Sequence, residues 1–493
     1  MKLYFFLLIT LCVFYSSEIP AQQKPTTGAV DVIKMEELKR DLYAMADDRF
    51  KGRESGTLDE LKVSVWLAEQ VRLAGLEPAG DDGTFFQFFS LQRTRLSSLN
   101  SSVTAGDRSY LIFKDALPMI SAAASVAAPT VYIADFAAIA NLDLKDKIAV
   151  VPVSSQGINQ NVSIPGRRYF RSVYQKYAPA LINKGVAAII LIGDEEAEKN
   201  WNAIAPVLQR GNYRVDVPSA QQAVLSSAVP ALWLHTSEHD FFKTTPTVTI
   251  KLVIESFEYP SVNIVGKIPG TDAKLKKEYV LFSAHHDHDG IRSAVNNDSI
   301  YNGADDNASG SVALLGIARA FRKKPARRSA LFVWHGAEER SMLGSRWFAN
   351  FPSVPKADIA AVLNADMIGQ NHPDSMALLG SQSPHKNSSD LVAAALEAND
   401  AGPQFKLDVK WDKTDHPEGF YFRSDHMPYA RVGIPAIFYT SLLHPIYHTP
   451  ADEAKTINYP KLLKVTQWMY LTGWAIGNTT ERPKVDEGFK LER

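Results

Sequence analysis

Residues 283–310 read SAHHDHDGIRSAVNNDSIYNGADDNASG. The segment leaves an apolar, strand-like run, Tyr279 to Phe282, and ends where a helix-like run, Ser311 to Phe321, begins. Three histidines and five aspartates lie between those two elements. At that density carboxylates repel one another and imidazoles give up protons unless a cation holds them, so a metal site accounts for the stretch best. Asp and Asn also favour turns, and a polar surface loop is the alternative that the rest of the chain must decide.

Outward from this stretch, from about Tyr259 on, strand-like and helix-like runs alternate. Tyr279–Ala284 precedes Ser311–Phe321, Ser329–Trp334 precedes Met342–Ala349, Ile359–Leu363 precedes Asp390–Ala398, and Ala436–Tyr439 precedes Tyr459–Ile476. Such alternation predicts an α/β fold, a sheet covered by helices on both faces. Ligands in these sheets gather at the carboxyl ends of the strands. The polar residues fall there. HGAEERSMLGS puts Glu338 and Glu339 after the second strand, NADMIG puts Asp366 after the third, and HPIYHTPADE puts His444, Tyr447, His448 and Asp452 after the last. Four strand ends that each offer acids or imidazoles favour the metal reading over independent turns.

No HExxH motif is present, and His335 with Glu338 lacks the second histidine of the inverted form. Imidazoles with several carboxylates suit Zn2+, with Co2+ or Mn2+ possible. The carboxylates exceed what one tetrahedral ion needs, so two ions about 3.5 to 4 Å apart, bridged by one carboxylate and a water, fit better.

Upstream, residues 31–77 show helix-like patterns, with Val63, Trp66, Leu67, Val71 and Leu73 on one apolar face and Gly75 placed as the stop. Thr84–Leu96 reads as a strand entering a core. From about Pro118 to Val253 short apolar strands such as Lys147–Val153 and Val186–Gly193 flank a helix candidate around Arg171–Lys184. This region reads as a small β-rich domain with a covering or recognition role, because it brings no obvious chemistry of its own.

A chain of 493 residues predicts two or three domains. Its formal charge of −1 gives no reason to expect a nucleic-acid or anionic-membrane partner. Lys2, the apolar run Leu3–Tyr15 and a cleavage point after Ala21 read as a secretory signal, the apolar run being shorter than the ~20 residues of a span. The one cysteine, Cys12, lies inside that signal in a poor lipoprotein context, so a mature chain would have neither disulfides nor a thiolate site. The expected location is therefore secreted or periplasmic, with no membrane span after signal removal.

The blocks SAHHDHDG, GADDNASG, WHGAEERSMLGS, LNADMIG, SDHMPYARVGIPA and YHTPAD, in this order, resemble the signatures of the M28 family of co-catalytic dizinc aminopeptidases. FKGRESGT, LAGLEPAGDDGTFFQFF and the DLKDKIAVVP region are similar to the amino-terminal segment and inserted protease-associated (PA) domain of its PA-containing members. The resemblance implies a mixed, mostly parallel sheet flanked by helices, of the zinc-aminopeptidase/phosphorylase-hydrolase type. It divides the chain into a signal peptide (1–21), an N-terminal part of the peptidase domain (22–117), the inserted PA domain (118–255), the catalytic domain (256–480) and a tail (481–493).

Carried over, the resemblance makes His285 and Asp366 ligands of one Zn2+, Glu339 and His448 ligands of the other, and Asp306 the bridge, with Asp305 its rival. Asp287 would orient His285, Glu338 would be the general base, and Tyr421 or Tyr447 would hold the oxyanion. Asp425 and His426 would support the site, while His286, His288 and Asp289 would shape the pocket instead of holding ions. The implied function is an exported dizinc aminopeptidase acting on peptide or protein substrates. A carboxypeptidase or dipeptidase on the same site is the alternative; no basic constellation clearly marks a carboxylate-binding pocket for it, though Arg423 could serve. A non-catalytic receptor-like protein is the remote alternative.

Overall fold

The computed structural model describes residues 27–156, 158, 163, 165–217 and 229–491. The expected signal, including Cys12 and the cleavage point at Ala21, lies outside the described residues. Among the described residues no helix is long and apolar enough to cross a membrane.

Seven strands matter for the site: β1 (Phe86–Leu96), β2 (Ile254–Ile268), β3 (Tyr279–His285), β4 (Ser329–His335), β5 (Ile359–Ala365), β6 (Ser375–Leu379) and β7 (Ala436–Thr440). They belong to a mixed sheet in the order β6, β7, β5, β3, β4, β2, β1, extended by Lys406–Leu407 beyond β6, by Asn212–Arg214 beyond β1, and by Glu77–Pro78 on β2. β4, β3, β5 and β7 run parallel, whereas β2 is antiparallel to β4 and β1, and β6 is antiparallel to β7. The parallel strands are buried along almost their whole length, as strands covered on both faces must be. Alternation assigns the faces: Val280, Phe282, Ala330, Phe332 and Trp334 enter one core, Leu281, Leu331 and Val333 the other.

The helices are α1 (Leu58–Leu73), α2 (Gly310–Lys323), α3 (Leu343–Asn350), α4 (Ser389–Ala401) and α5 (Tyr459–Asn478). α1, α2, α4 and α5 pack into the larger core, and α3 into the smaller one. α2 is buried almost all round, which is why its sequence, GSVALLGIARAF, carries no polar stripe until its end. All four expected strand–helix pairs are present, with ends shifted by at most three residues. One residue of the expected apolar face of α1 is corrected: Val63, Leu67 and Val71 are buried but Leu73 is 63% exposed. Two residues past Val71, Leu73 lies about 200° around the helix axis, on the side away from the core, and Gly75, at φ +83°, follows the helix end.

A second sheet takes strands Ser102–Ala105, Arg108–Tyr110, Ala116–Pro118, Ala124–Tyr132, Ile148–Pro152, Ala188–Ile192, Ala231–Leu234 and Thr247–Leu252. Two differences from expectation stand out. The sheet begins upstream of Pro118, and the two chain crossings lie side by side, Ser97 donating its N–H to Val253 at 2.8 Å. It is also less purely β than expected, because two helices, Pro165–Asn183 and Glu195–Arg210, cover it with Tyr169, Phe170, Val173 and Trp201. The Glu195–Arg210 helix, rich in acids at its start and capped by Asp194 accepting from the Ala197 N–H, was legible as a helix start but was not anticipated.

Candidate metal centre

β3 ends on His285, in register with His335 at the end of β4, so the loops after the two strands leave the sheet together. After β4, Ala337 in the left-handed region turns the chain into a short 3-10 turn, Glu338–Arg340. The Asp287 carboxylate accepts the N–H groups of Glu338 and Glu339 at 3.0 and 3.3 Å, and Ser55 Oγ donates to it at 2.6 Å. The turn that carries Asp305 and Asp306 is held likewise: Asp452 accepts the N–H of Asp305 at 2.9 Å and that of Asp306 at 3.1 Å. Asp452 is thus a cap for that turn.

Two groups of donors result. His285, Asp306 and Asp366 form one, and His288, Asp306, Glu339 and His448 the other, their ligand atoms lying within 4.8 Å of one another in each group. His285 Nε2 is 3.2 Å from Asp306 Oδ1 and 3.4 Å from Asp366 Oδ1. His448 Nε2 is 3.0 Å from Asp306 Oδ2 and 3.2 Å from Glu339 Oε1, so Asp306 turns one oxygen to each group. Glu338 Oε2 stands 4.0 Å from His285 Nε2. Asp305, the rival, faces elsewhere: it accepts the Gly369 N–H at 2.6 Å and meets His444 Nε2 at 3.3 Å.

The chemistry of the set fits divalent cations. His285 Nε2, Asp366 Oδ1 and Glu339 Oε1 are buried and have no hydrogen-bond partner, though unmet buried polar atoms are costly. Burial opposes charge on His285 and His448, yet the surrounding carboxylates, Asp366 foremost for His285 and Glu339 for His448, raise both far above the ordinary imidazole value. The cluster therefore attracts positive charge. Burial, together with the charges of Asp425, Asp366 and Glu339, pushes the Glu338 carboxyl well up.

The surrounding residues sort as follows. His285 Nδ1 is 3.2 Å from the Asp287 backbone carbonyl and 3.7 Å from its carboxylate, so the carbonyl fixes the ring while the carboxylate fixes the Glu338 turn. Asp366 accepts from Ser424 Oγ at 2.7 Å, and Ser424 accepts from Asn364 at 2.8 Å. The Tyr447 and His448 ring centroids are 4.0 Å apart, and the Tyr447 hydroxyl accepts from Arg423 at 3.0 Å. Tyr421 is packed differently from what the sequence implied: it is fully buried, stacked on His385 with centroids 4.2 Å apart, among Met367, Leu379 and Phe438. Its hydroxyl has no hydrogen-bond partner, and its ring packs against His385, Phe422 and His426, none of which is a donor of either group. Asp425 is buried beside the cluster and pushed up to about 7 by burial and by Asp366 and Asp287, and it raises Glu338 in turn. His286 is held neutral by burial and Arg53, with Nε2 at 2.8 Å from Ser64 Oγ.

Two features escaped the sequence. His288 is completely buried within the second group and does not stand at a pocket rim. Its signal was the density of histidines, but which of three faces inward depends on the path of the turn after His285. The second is a link between the two sheets. Glu418 accepts from the Ser163 N–H at 2.6 Å, from Ser163 Oγ at 2.7 Å and from Arg423 at 2.7 Å, besides pairing with Arg168. Beside it opens a cavity of about 590 Å³ lined by Ser163, Leu443, His444, Pro445, Tyr447, His448 and Thr449.

Residues 263–472 match the family model described as peptidase family M28. The chain is 31% identical over 176 residues to leupeptin-inactivating enzyme 1 of Streptomyces exfoliatus and 28% identical over 171 residues to aminopeptidase YwaD of Bacillus subtilis. These matches cover 35% and 32% of this chain, and each spans 34% of the relative's length, about a third. The fold resembles that of the aminopeptidase from Aneurinibacillus sp. strain AM-1, with a TM-score of 0.56 and 18% identity over 94% of this chain and 97% of that one. It also resembles BSAP, a zinc aminopeptidase from Bacillus subtilis, with a TM-score of 0.57 and 18% identity over 93% of this chain and 99% of that one. Residues 263–472, which carry every donor of both groups, belong to peptidase family M28.

Proposed function

We propose that this chain is an exported metallo-aminopeptidase that works with two Zn2+ ions, with Co2+ or Mn2+ as substitutes. The observation that carries the reading is the sharing of Asp306 between two donor groups with Glu338 beside them. His285 and Asp366 would hold one ion, Glu339 and His448 the other, and Asp306 would bridge them. When bound, the ions supply Lewis acidity, lowering the pKa of a nearby water and drawing electron density from the peptide carbonyl.

The chain's own residues do the rest. Glu338 accepts the proton of the attacking water and returns it to the leaving amine, a role suited to a carboxyl whose pKa burial has raised. The Tyr447 hydroxyl, turned by Arg423, donates to the developing oxyanion. The second sheet is read as a PA domain that borders the substrate cavity through Ser163. Export rests on Lys2, Leu3–Tyr15 and the possible cleavage after Ala21.

Amino-end specificity is favoured over a carboxypeptidase by one feature. Arg423, the candidate for a substrate carboxylate that the sequence offered, is already engaged by Glu418, Ser163 and Tyr447. Hydrolysis of amino-acid anilides, compared with peptides blocked at the amino end, tests this. Release of residues from the carboxyl end of blocked peptides would overturn it.

A further inference from the structure

We propose that His288 is a fourth protein ligand of the second ion, so that the two metal positions are unequal: one closed by His288, Asp306, Glu339 and His448, the other left open with His285, Asp306 and Asp366. This rests on the two-metal reading above and goes beyond its ligand set.

The imidazole of His288 is built into its place. Its Nδ1 lies 2.8 Å from Glu339 Oε1 and 4.0 Å from Asp306 Oδ2, and its ring stands 5.3 Å from that of His448 at 80°. Neither ring nitrogen has a hydrogen-bond partner of acceptable geometry, although the residue is wholly buried. A neutral imidazole always carries one donor and one acceptor, so both being unmet points to a ligand for one of them.

The backbone around the ring is fixed from two sides. The His288 N–H donates to the Arg53 carbonyl at 3.2 Å, and the buried Arg53 guanidinium in turn donates to the carbonyls of His286, Asn302 and Gly303. Gly303 is where the ring needs room. A Cβ there would stand 2.5 Å from the His288 ring, and the residue's φ of +55° suits glycine. The Asp289 carboxylate, next along, lies 3.0 Å from His448 Nδ1, which leaves His448 Nε2 for the shared centre. One short segment, His288–Asp289, thus supplies one imidazole and orients the other.

Donor count then separates the positions. Two imidazoles and two carboxylates complete a tetrahedral set, the arrangement of closed sites. One imidazole and two carboxylates leave a coordination position free, on the side where Glu338 stands 4.0 Å from His285. The closed position holds its ion more tightly, and the open one exchanges with solvent and substrate.

The test uses the full mature chain, stripped of metal and titrated with Zn2+ alone against a competing chelator, with bound zinc counted by mass spectrometry. Two binding events of clearly different affinity are expected, and X-ray absorption on the form carrying one zinc per chain should count two imidazoles. His288→Ala should weaken the tighter event by more than ~100-fold, beyond what loss of an outer hydrogen-bond partner costs, and leave the other event near its original affinity. His288→Asn, which keeps a hydrogen-bond donor at this position, should fail in the same way. Equal affinities in the unmodified protein, a single imidazole in the one-zinc form, or tight binding restored by His288→Asn would each overturn the proposal while leaving the peptidase reading intact. A protein that takes up no zinc would overturn both. Because the imidazole count is made on the unmodified protein, it decides the matter even if a variant fails to fold.

Discussion

The Asp287 carboxylate accepts the backbone N–H of Glu338 at 3.0 Å, tying the loop after β3 to the loop after β4. This bond fixes the turn from behind and leaves the Glu338 side chain on the cluster side, 4.0 Å from His285. Glu338→Gln keeps the size and the backbone bond but removes the proton acceptor. It should lower kcat by about 10²- to 10⁴-fold while zinc content stays unchanged. Turnover near the original value would remove Glu338 from the general-base role.

Asp306 and Asp305 are adjacent in sequence, yet their carboxylates serve different partners. Asp306 faces both donor groups, whereas Asp305 accepts from Gly369 and meets His444. Asp306→Ala should therefore abolish binding of at least one zinc per chain, read by metal analysis of the purified protein. Asp305→Asn should leave zinc content close to the original and lower the thermal midpoint, because the Gly369 and His444 contacts weaken. The reverse pattern would exchange their roles.

These two residues also mark what could be read from the sequence. The alternation from Tyr279 onward was enough for the sheet, because buried parallel strands such as YVLFSAH and helices such as GSVALLGIARAF differ plainly in period and punctuation. The strand ends then located the polar residues, since topology leaves few other places for them. Orientation within a loop was not legible. Whether Asp305 or Asp306 turns inward is set by the Asp452 carboxylate, 146 residues away in sequence from Asp306, and His288 by the space at Gly303. The early start of the second sheet escaped for a similar reason: Ser102–Ala105 is too short to signal a strand until Thr247–Leu252 pairs with it.

Tyr447 and Tyr421 are separated by their surroundings. The Tyr447 hydroxyl is bound by Arg423 beside His448, and burial pushes it up to about 12, so it keeps its proton for donation at neutral pH. Tyr447→Phe should lower kcat by about 10²- to 10³-fold, the loss typical of one oxyanion donor, with little change in KM. Tyr421→Phe removes a hydroxyl that has no partner and should leave turnover unchanged. A large kcat effect at Tyr421 with none at Tyr447 would invert the assignment.

Glu418 joins the second sheet to the cluster through Arg423 and Tyr447. It accepts from Ser163 and Arg423, and burial is outweighed by these donors, which hold its carboxyl below the ordinary range. Glu418→Ala would leave Arg423 partly buried without its acid, and charge-assisted bonds of this kind are worth about 1.5–3 kcal/mol. A lower thermal midpoint is expected, together with reduced kcat at unchanged zinc content. Normal kcat would show that Tyr447 does not depend on this link.

Glu60 supplies a pH dependence that needs no metal ligand. It is fully buried on α1, accepting from Ser261 Oγ at 2.6 Å and from the Gly56 N–H at 2.7 Å, and burial pushes its carboxyl up to about 8. A raised carboxyl pKa means that the folded chain binds the proton more tightly than the unfolded one. Stability is therefore unaffected at pH values below the ordinary 4.5, falls as the pH rises from there towards 8, and is lowest above that. Glu60→Gln cannot ionise and escapes this loss. The thermal midpoint of Glu60→Gln minus that of the unmodified protein should rise across the same window and level off above it. A difference that stays flat with pH would mean that Glu60 titrates as an ordinary surface glutamate does.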